Sequence, residues 1–303
     1  MTDRIMLLDT ASLYFRAFYG VPDKVKAADG TSVNAARGLL DMIGKLVTTY
    51  EPTRLVACWD DDWRPAWRVA LLPSYKAHRV VEAVPAGTDI EEVPDPLEAQ
   101  IPVIRAALEV LGIPIVGAAE HEADDVIGTL ATRADAPVDI VTGDRDLFQL
   151  IDDDRGIRIV YTARGMSNLE IVDDAAVVGK YGAHAAQYAD FAALRGDPSD
   201  GLPGVAGIGE KSAASLLAAC GDLDGIRAAA ADGSAGTPAQ RAKILTASDY
   251  LDVAPAVVRV ARELELAPYD DRIRPVDEAA ATALADTWNL GSSMTRALTA
   301  LRR

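Results

Sequence analysis

The stretch VDIVTGDRDLFQLI, residues 138–151, begins like a buried strand and ends in acidic residues. Val138–Val141 has strand character, and Thr142-Gly143 ends the run. Asp144 and Asp146 follow, one residue apart. Because two carboxylates so close repel each other, their place just after a buried strand indicates a site where divalent cations lie between them.

Strand-like runs of this kind recur through residues 1–172 and alternate with helix-period stretches. The other runs are at Ile5–Leu8, Leu55–Trp59, Ile113–Val116 and Ile157–Tyr161, and the helical stretches are at Val33–Tyr50, Leu97–Leu111 and Ala123–Arg133. This alternation predicts an α/β fold with a mostly parallel central sheet and helices on both faces. In such sheets function gathers outside the carboxyl ends of the strands.

From Asp173 onward the pattern becomes helical, with glycine and proline punctuation. It predicts a smaller helical domain at residues 173–260 and a helical tail at 261–303 that packs back on the first domain. The segment Val80–Pro96 interrupts the α/β part, because it holds three prolines and five acids. We expect a mobile loop or a partly helical excursion there.

The bulk composition is that of a globular protein: half of the 303 residues are hydrophobic, and the formal net charge is −16. The apolar run near the N-terminus is too brief for a signal peptide or a membrane span, so we expect a soluble, cytoplasmic protein. Cys58 and Cys220 show neither metal nor disulfide spacing. The charge argues at first against a nucleic-acid partner, but Trp63 to Arg79 holds four Lys or Arg and no acid.

Acidic residues follow the other strand-like runs as well: Asp9, Asp60 in the triplet 60–62, and Glu122, Asp124 and Asp125 at a helix start. Asp197 and Asp200 either join this set or serve the turn Asp-Pro-Ser-Asp-Gly. Taken singly, each group could also be a helix cap or a solvated turn. Together on one sheet edge they form hard oxygen donors without His or Cys, which suits two or more Mg²⁺ or Mn²⁺ ions.

The helical part contains GDPSDGLPGVAGIGEKSAASLL, residues 196–217. This stretch nearly fits the phosphate-binding loop of nucleotide hydrolases, but Glu210 breaks the spacing and Pro203 stands where a strand should lead in. A helix–hairpin–helix element fits better, because Gly207 and Gly209 allow a tight turn into a helix whose N–H groups can hold a duplex phosphate. Lys211 would add a charge contact, and carbonyls of the turn could hold K⁺.

With these stretches in order, the chain resembles the 5′ nuclease (flap endonuclease) family. The type is the bacterial 5′→3′ exonuclease, found free-standing or as the N-terminal domain of DNA polymerase I. The motifs are LLDTASLYFRAFYG, CWDDDWRPAWRVALLPSYKAHR, EADD, TGDRDLFQL, and GDPSD followed by GVAGIGEKSAASLL. The resemblance covers nearly the whole chain. It implies a PIN-like nuclease core, a helical arch around residues 74–100 and a helix–hairpin–helix (H3TH) domain.

The resemblance also implies residue roles and partners. The metal ligands or their supporting residues would be Asp9, Asp60, Glu122, Asp124, Asp125, Asp144, Asp146, Asp197 and Asp200. The catalytic cations would be Lys76 and Arg79, on the first helix of the arch, with Arg16. Duplex would be held by Gly204, Gly207, Gly209, Lys211 and Lys180. The expected partner is double-stranded DNA with a 5′ flap, gap or nick, or RNA-primed DNA, bound by a monomer at the nucleoid and away from membranes.

Three features depart from the family pattern or leave alternatives open. Counting forward from the strand favours Asp60 as the ligand, whereas counting back from Lys76 favours Asp61; we take Asp60. Val80–Pro96 is longer and more acidic than a usual arch, and Gly201 stands where the family has Asn. Alternative functions are a non-catalytic protein that binds branched DNA, a related nuclease acting chiefly on RNA, and the nucleotide hydrolase.

Overall fold

The computed structural model describes residues 3–84 and 89–302. In this part of the chain, one sheet contains β1 Ile5–Asp9, β2 Arg54–Cys58, β5 Ile115–Val116, β6 Val138–Thr142, β7 Ile157–Tyr161 and β8 Glu170–Val172. Their order across the sheet is β5-β2-β1-β6-β7-β8, and every neighbouring pair is parallel except β7 with β8. The mostly parallel sheet is confirmed, and β8 is an antiparallel edge strand that the sequence pattern did not predict.

Helices cover both faces of this sheet. The helices of this part are α1 Thr10–Gly20, α2 Asn34–Tyr50, α3 Ala66–Leu71, α4 Asp95–Glu98, α5 Ile101–Val110 and α6 Ala123–Arg133, and all but α3 contribute residues to the cores on the two faces. Side chains alternate along each strand, so Met6 and Leu8 join the core beneath α2 and α5, while Ile5 and Leu7 join the core beneath α6. Both faces of β1 are therefore buried, which places its functional residue at the strand end.

The helical part contains α7 Asp174–Tyr181, α8 Tyr188–Arg195, α9 Glu210–Cys220, α10 Leu223–Asp232, α11 Pro238–Thr246 and α12 Ser248–Val258. One hydrophobic core runs from Ile140 of the sheet through Phe148 to Leu217 and Ile226 of these helices. The two predicted domains therefore share a core, which sets the position of the helical part relative to the sheet edge. Among the described residues, no helix is both long enough and apolar enough to cross a bilayer.

The C-terminal tail returns to the sheet, but it is helical only in its second half. Residues 259–277 are all described and form no helix; here the backbone N–H of Ile273 donates to the Thr53 carbonyl (3.1 Å). Helices α13 Glu278–Thr287 and α14 Gly291–Leu301 follow, and they pack against α5 and α2. The expected helical tail at 261–303 is thus an extended strap followed by two helices.

The segment predicted as a helical arch has a different structure. Lys76 has a left-handed backbone (φ 48°), Ala77–Arg79 form one 3₁₀ turn, and β3 Val80–Glu82 pairs antiparallel with β4 Ile90–Glu91. Lys76 and Arg79 therefore do not lie on the first helix of an arch, which corrects that expectation. Two β-branched residues at 80–81 favour a strand, and prolines at 94 and 96 keep helix from extending backward from α4. Residues 85–88 of the predicted mobile segment lie outside the described part.

Candidate active site

Acidic side chains from neighbouring strand ends meet at the carboxyl edge of the sheet. Asp9 is the last residue of β1; its Oδ1 accepts from the Ser12 backbone N–H (3.1 Å), and its Oδ2 accepts from Thr142 Oγ1 at the end of β6 (2.6 Å). Asp60, just past β2, accepts from the Ala123 N–H at the start of α6 (2.7 Å). These bonds join β1, β2, β6 and α6 at one point.

A cavity of about 250 Å³ opens there. The acids that line it are Asp9, Asp60, Glu91, Glu122, Asp124 and Asp144, and the cations are Lys76 and Arg79. The hypothesis from the sequence requires that distant acids share one pocket. The structure meets this requirement for Asp9, Glu122 and Asp144, which all line the cavity. Asp61 is not among the lining residues, since its carboxylate lies against Gly117. The structure therefore places Asp60, and not Asp61, at the cavity.

Crowding of buried acids disfavours their charged forms. Burial first, and then the charges of Asp60 and Asp144, raise the pKa of Asp9 from 3.8 to about 7. Burial and repulsion from Asp144 and Asp9 likewise raise the pKa of Asp124 well above its usual value. The folded protein without metal therefore carries electrostatic repulsion that bound cations would relieve.

Asp9→Asn is expected to stabilise the metal-free protein at alkaline pH. Because the folded state holds the Asp9 proton up to a higher pH than the unfolded chain, stability falls as pH rises from about 4 to about 7. Asparagine removes this loss and can still cap α1, so we expect a gain of about 1–3 kcal/mol near pH 8 and little change near pH 4. Urea unfolding of the wild type and Asp9→Asn in EDTA at pH 4 and pH 8 measures this gain. An equal effect of the substitution at the two pH values would contradict a raised pKa of Asp9.

A second group of acids joins the cavity through Asp144. The Asp146 backbone N–H donates to Asp144 Oδ1 (2.8 Å), and burial, then Asp144, Asp200 and Asp197, raise the pKa of Asp146 well above its usual value. Within the described residues, the buried Asp146 Oδ1 has no hydrogen-bond partner. Asp197 differs, because Arg195 Nη2 donates to it (2.9 Å). Asp146 is thus the member of this group best placed to accept a cation, since Asp200 also accepts from an arginine, Arg79 Nη2 (3.3 Å).

Two of the residues predicted to bind metal form ion pairs with Arg68, an arginine to which the sequence analysis assigned no specific role. Arg68 of α3 donates to both oxygens of Asp125 (2.8 and 2.7 Å) and to Glu122 Oε2 (2.5 Å). Burial alone would raise the pKa of Asp125, but hydrogen bonding to Arg68 and the charge of Arg68 outweigh this effect and lower the pKa. Asp125 also accepts from the Ala261 N–H (2.8 Å) and does not line the cavity. It supports the site from behind, and the geometry does not fit a direct ligand.

The signal for Arg68 was present in the sequence as one charged residue inside the apolar helix AWRVAL. Its side chain is only 2% exposed, and its Nε donates to the Val257 carbonyl at the end of α12 (3.0 Å). Such a residue needs buried acids as partners, and the helix start at Glu122 supplies them. Which acids it chooses depends on packing, so the pattern alone could not name them.

Lys76 and Arg79 reach the cavity from beside it. Lys76 forms an ion pair with Glu122, and Arg79 Nη2 donates to the Ser199 carbonyl (2.8 Å) and to Asp200 Oδ1 (3.3 Å). Their segment is pressed onto the 197–201 loop, where a Cβ on Gly201 would lie 2.0 Å from the Ser74 carbonyl oxygen. Gly201 also has φ 72°, so glycine at this position permits the close approach.

Arg16 lies in an adjoining cleft and not in the carboxylate cavity. The cleft, of about 840 Å³, runs between α1, α2 and residues 165–167, and it shares Ser12 and Phe15 with the cavity. The buried Arg16 Nε has no hydrogen-bond partner among the described residues. Arg16 is therefore placed to contact a ligand that extends beyond the cavity, while its assignment as catalytic stays a prediction.

The donor set fits a divalent metal of the magnesium type. Every acid at this edge offers only oxygen, which Mg²⁺ and Mn²⁺ prefer. In residues 3–84 and 89–302, no three His, Cys, Asp or Glu side chains converge as a ready-made metal cage. Mg²⁺ keeps several waters and binds through one or two carboxylates, so such a cage is not required. The unpartnered Asp146 oxygen and the raised pKa of Asp9 are features that a bound cation would satisfy.

The loop between α8 and α9 presents an exposed helix start. Gly207 has φ 75°, and Gly209 caps α9 with open space around it; both are exposed, as is Lys211. The Gly207 carbonyl, expected to help hold K⁺, accepts from Lys243 Nζ (2.9 Å), a cation that the sequence analysis missed. A helix and not a strand precedes this loop, which disfavours the nucleotide-hydrolase interpretation.

The two other residues predicted to bind duplex make different contacts. A Cβ on Gly204 would lie 2.5 Å from the Gly196 backbone nitrogen, so Gly204 serves the packing of the loop against the end of α8. The Lys180 ammonium, on α7, is 5.2 Å from the Tyr181 ring centre. Gly207, Gly209 and Lys211 lie at the exposed start of α9, and Lys180 is exposed on α7.

Comparisons with known proteins agree with this architecture. Residues 4–182 match the family model described as 5′-3′ exonuclease, N-terminal resolvase-like domain, and residues 183–279 match the 5′-3′ exonuclease, C-terminal SAM fold. A 5′-3′ exonuclease of Streptomyces coelicolor is 61% identical over 299 residues, covering 98% of this chain and 99% of that protein. DNA polymerase I of Mycobacterium bovis is 42% identical over 223 residues, covering 72% of this chain and 23% of that protein.

A solved structure shares the fold at low sequence identity. It is the bacteriophage T5 flap endonuclease in a pseudo-enzyme–product complex with DNA and metal ions, with a TM-score of 0.63 and 17% identity over 99% of this chain and 100% of that chain. The predicted resemblance and fold class are confirmed by these matches.

Proposed function

Because the chain belongs to the 5′-3′ exonuclease family, we propose that it is a structure-selective 5′ nuclease. It hydrolyses phosphodiesters of branched, gapped or nicked DNA, and of RNA primers, as both an exonuclease and a flap endonuclease. The observation that supports this function best is the cavity at the sheet edge, where acids from separate strand ends face Lys76 and Arg79. An acidic pocket for cations beside basic groups for a phosphate is the arrangement that metal-assisted phosphodiester hydrolysis needs.

Divalent ions would be held in two neighbouring places. Asp9, Asp60, Asp124 and Asp144, which line the cavity, would hold one ion. Asp146 and Asp200, whose charges interact with that of Asp144, would hold the other. Bound there, Mg²⁺ or Mn²⁺ supplies Lewis-acid chemistry, which activates water and stabilises the leaving oxygen. Arg68 keeps Glu122 and Asp125 paired, so that the start of α6 stays in position behind the ions.

Lys76 and Arg79 contribute hydrogen bonds and positive charge to the scissile phosphate. Burial alone would lower the pKa of Lys76, but the charge of Glu122 outweighs this effect and raises the pKa well above its usual value. The Lys76 ammonium is therefore charged throughout the neutral range. A charged donor beside the phosphate stabilises the negative charge that grows during hydrolysis. The exposed start of α9 holds the duplex through backbone N–H groups, which accept any sequence and thus select for shape.

Lys211→Ala is expected to weaken duplex binding by about threefold to tenfold and to reduce the salt slope by about one, since one phosphate contact is lost. Fluorescence anisotropy of a labelled duplex at several salt concentrations measures both values. Arg133→Ala is the matched control, because Arg133 is exposed at the opposite end of α6 from the cavity. An unchanged slope in Lys211→Ala would remove Lys211 from the duplex-binding surface.

A 5′-labelled flap duplex incubated with the protein, in Mg²⁺ or Mn²⁺ and in EDTA, tests the proposed function. We expect incision near the junction only with metal. Binding without any product would favour the non-catalytic alternative. Matched DNA and RNA flaps decide the preferred sugar, and a much faster cut of RNA would favour the nuclease that acts chiefly on RNA.

A further inference from the structure

A carboxylate outside the family motifs also lines the cavity: Glu91 of β4. Among the described residues, the other lining acids come from strand ends or from the start of α6, whereas Glu91 comes from the β3–β4 hairpin. The hairpin is anchored beside the site, since Trp63 Nε1 donates to the Asp89 carbonyl (2.7 Å) and Arg64 pairs with the Asp89 side chain. The position of Glu91 is therefore a consequence of the hairpin that replaces the expected helix.

The charges around Glu91 are those that a substrate phosphate would meet. Burial raises the pKa of Glu91, attraction to Arg79 and Lys76 opposes that shift, and repulsion from Asp60 adds to it. The same two cations also pair with acids of the site, Lys76 with Glu122 and Arg79 with Asp200. Glu91 thus adds a negative charge at the point where the proposed function brings a phosphate.

We propose that the Glu91 carboxylate takes the place of the substrate phosphate beside Lys76 and Arg79 in the DNA-free protein, and that DNA binds only by displacing it. The inference rests on the proposed function. Glu91 lines the same cavity as these two cations and is attracted to both, and a phosphate anion would be attracted to them in the same way. Two anions held together in a partly buried cavity repel each other, so the hairpin must shift when the phosphate enters. Glu91 thereby sets the affinity for the substrate.

The test compares Glu91→Gln with Glu92→Gln. Both changes remove one negative charge from the hairpin, but Glu92 is exposed and does not line the cavity. Binding of a fluorescein-labelled nicked duplex with a 5′ phosphate is measured in EDTA, and KM and kcat are measured in Mg²⁺. For Glu91→Gln we expect Kd and KM to fall about threefold to tenfold, with a smaller change in kcat and a smaller gain at high salt. Glu92→Gln should match the wild type.

A double-mutant cycle tests the competition itself. In an Arg79→Gln background, Glu91→Gln should improve binding less than in the wild type, because one of the contested donors is gone. Equal behaviour of the two glutamine variants would overturn the inference, and so would weaker binding or a lost metal response in Glu91→Gln. If the wild-type protein binds DNA but does not cleave it, only the proposed nuclease function is contradicted. Tighter DNA binding by Glu91→Gln would in that case still support the displacement of Glu91 by the phosphate.

Discussion

Asp144→Asn is expected to lower the cleavage rate by about a hundredfold or more while the protein stays folded. Asp144 acts on both acid groups: after burial, its charge raises the pKa of Asp124 in the first group and of Asp146 and Asp200 in the second. Asparagine keeps the shape and an oxygen for the Asp146 N–H bond of 2.8 Å. The substitution therefore removes mainly the charge that both groups share.

Single-turnover cleavage of a labelled 5′-flap duplex in Mg²⁺, with the enzyme in excess, measures the effect of Asp144→Asn. Asp154→Asn is the matched control, because Asp154 is exposed in the turn before β7, at the opposite edge of the sheet. We expect the control to cut at the wild-type rate. Should Asp144→Asn do the same, Asp144 does not hold a metal ion, and the division into two acid groups joined by it would be wrong.

Arg68→Met is expected to lower the free energy of unfolding by about 3–5 kcal/mol near pH 8, because it leaves the buried Asp125 without its cation and removes one of the two cations of Glu122. In the wild type, burial alone would raise the pKa of Asp125, but Arg68 outweighs this effect and lowers the pKa. The Arg68–Asp125 pair therefore stabilises the fold above pH 3.8, and this stabilisation is lost as pH falls below that value. Without Arg68, the side chain that offsets the burial of Asp125 is gone, so the pKa of Asp125 rises. Asp125 then takes up a proton as pH falls, so the loss should be smaller near pH 5.

Urea unfolding in EDTA at the two pH values measures the effect of Arg68→Met. Arg274→Met is the control, because Arg274 forms an exposed ion pair with Asp270 and its loss should cost less than about 1 kcal/mol. Adding Asp125→Asn to Arg68→Met should recover part of the loss, whereas Arg68→Lys should not match the two-pronged hydrogen bonding of arginine. If Arg68→Met unfolds like the control, the buried pairs do not stabilise the fold.

The β3–β4 hairpin beside the site is the segment for which the resemblance implied the wrong secondary structure. At Lys76 the chain turns with a left-handed backbone and enters β3, whereas the resemblance implied a helix. A short run such as AHRVVE has no helical period long enough to decide its structure. In the structure this segment is in contact with the 197–201 loop, where glycine at 201 permits the close approach. These contacts lie more than a hundred residues away in the chain.

The sequence by itself determined the parallel strands of the sheet, the helices α2, α5 and α6 and the acids at the strand ends. These are local properties: an apolar run sets a strand, its end sets the next side chain, and parallel strands bring such ends to one edge. Asp9, Asp60 and Asp144 could be placed in this way. Only the tertiary structure decided which acids stay free for cations, because Arg68 neutralises Asp125 through packing between distant segments. Charge pairing in a buried site depends on distances in space, and the order of residues does not contain them.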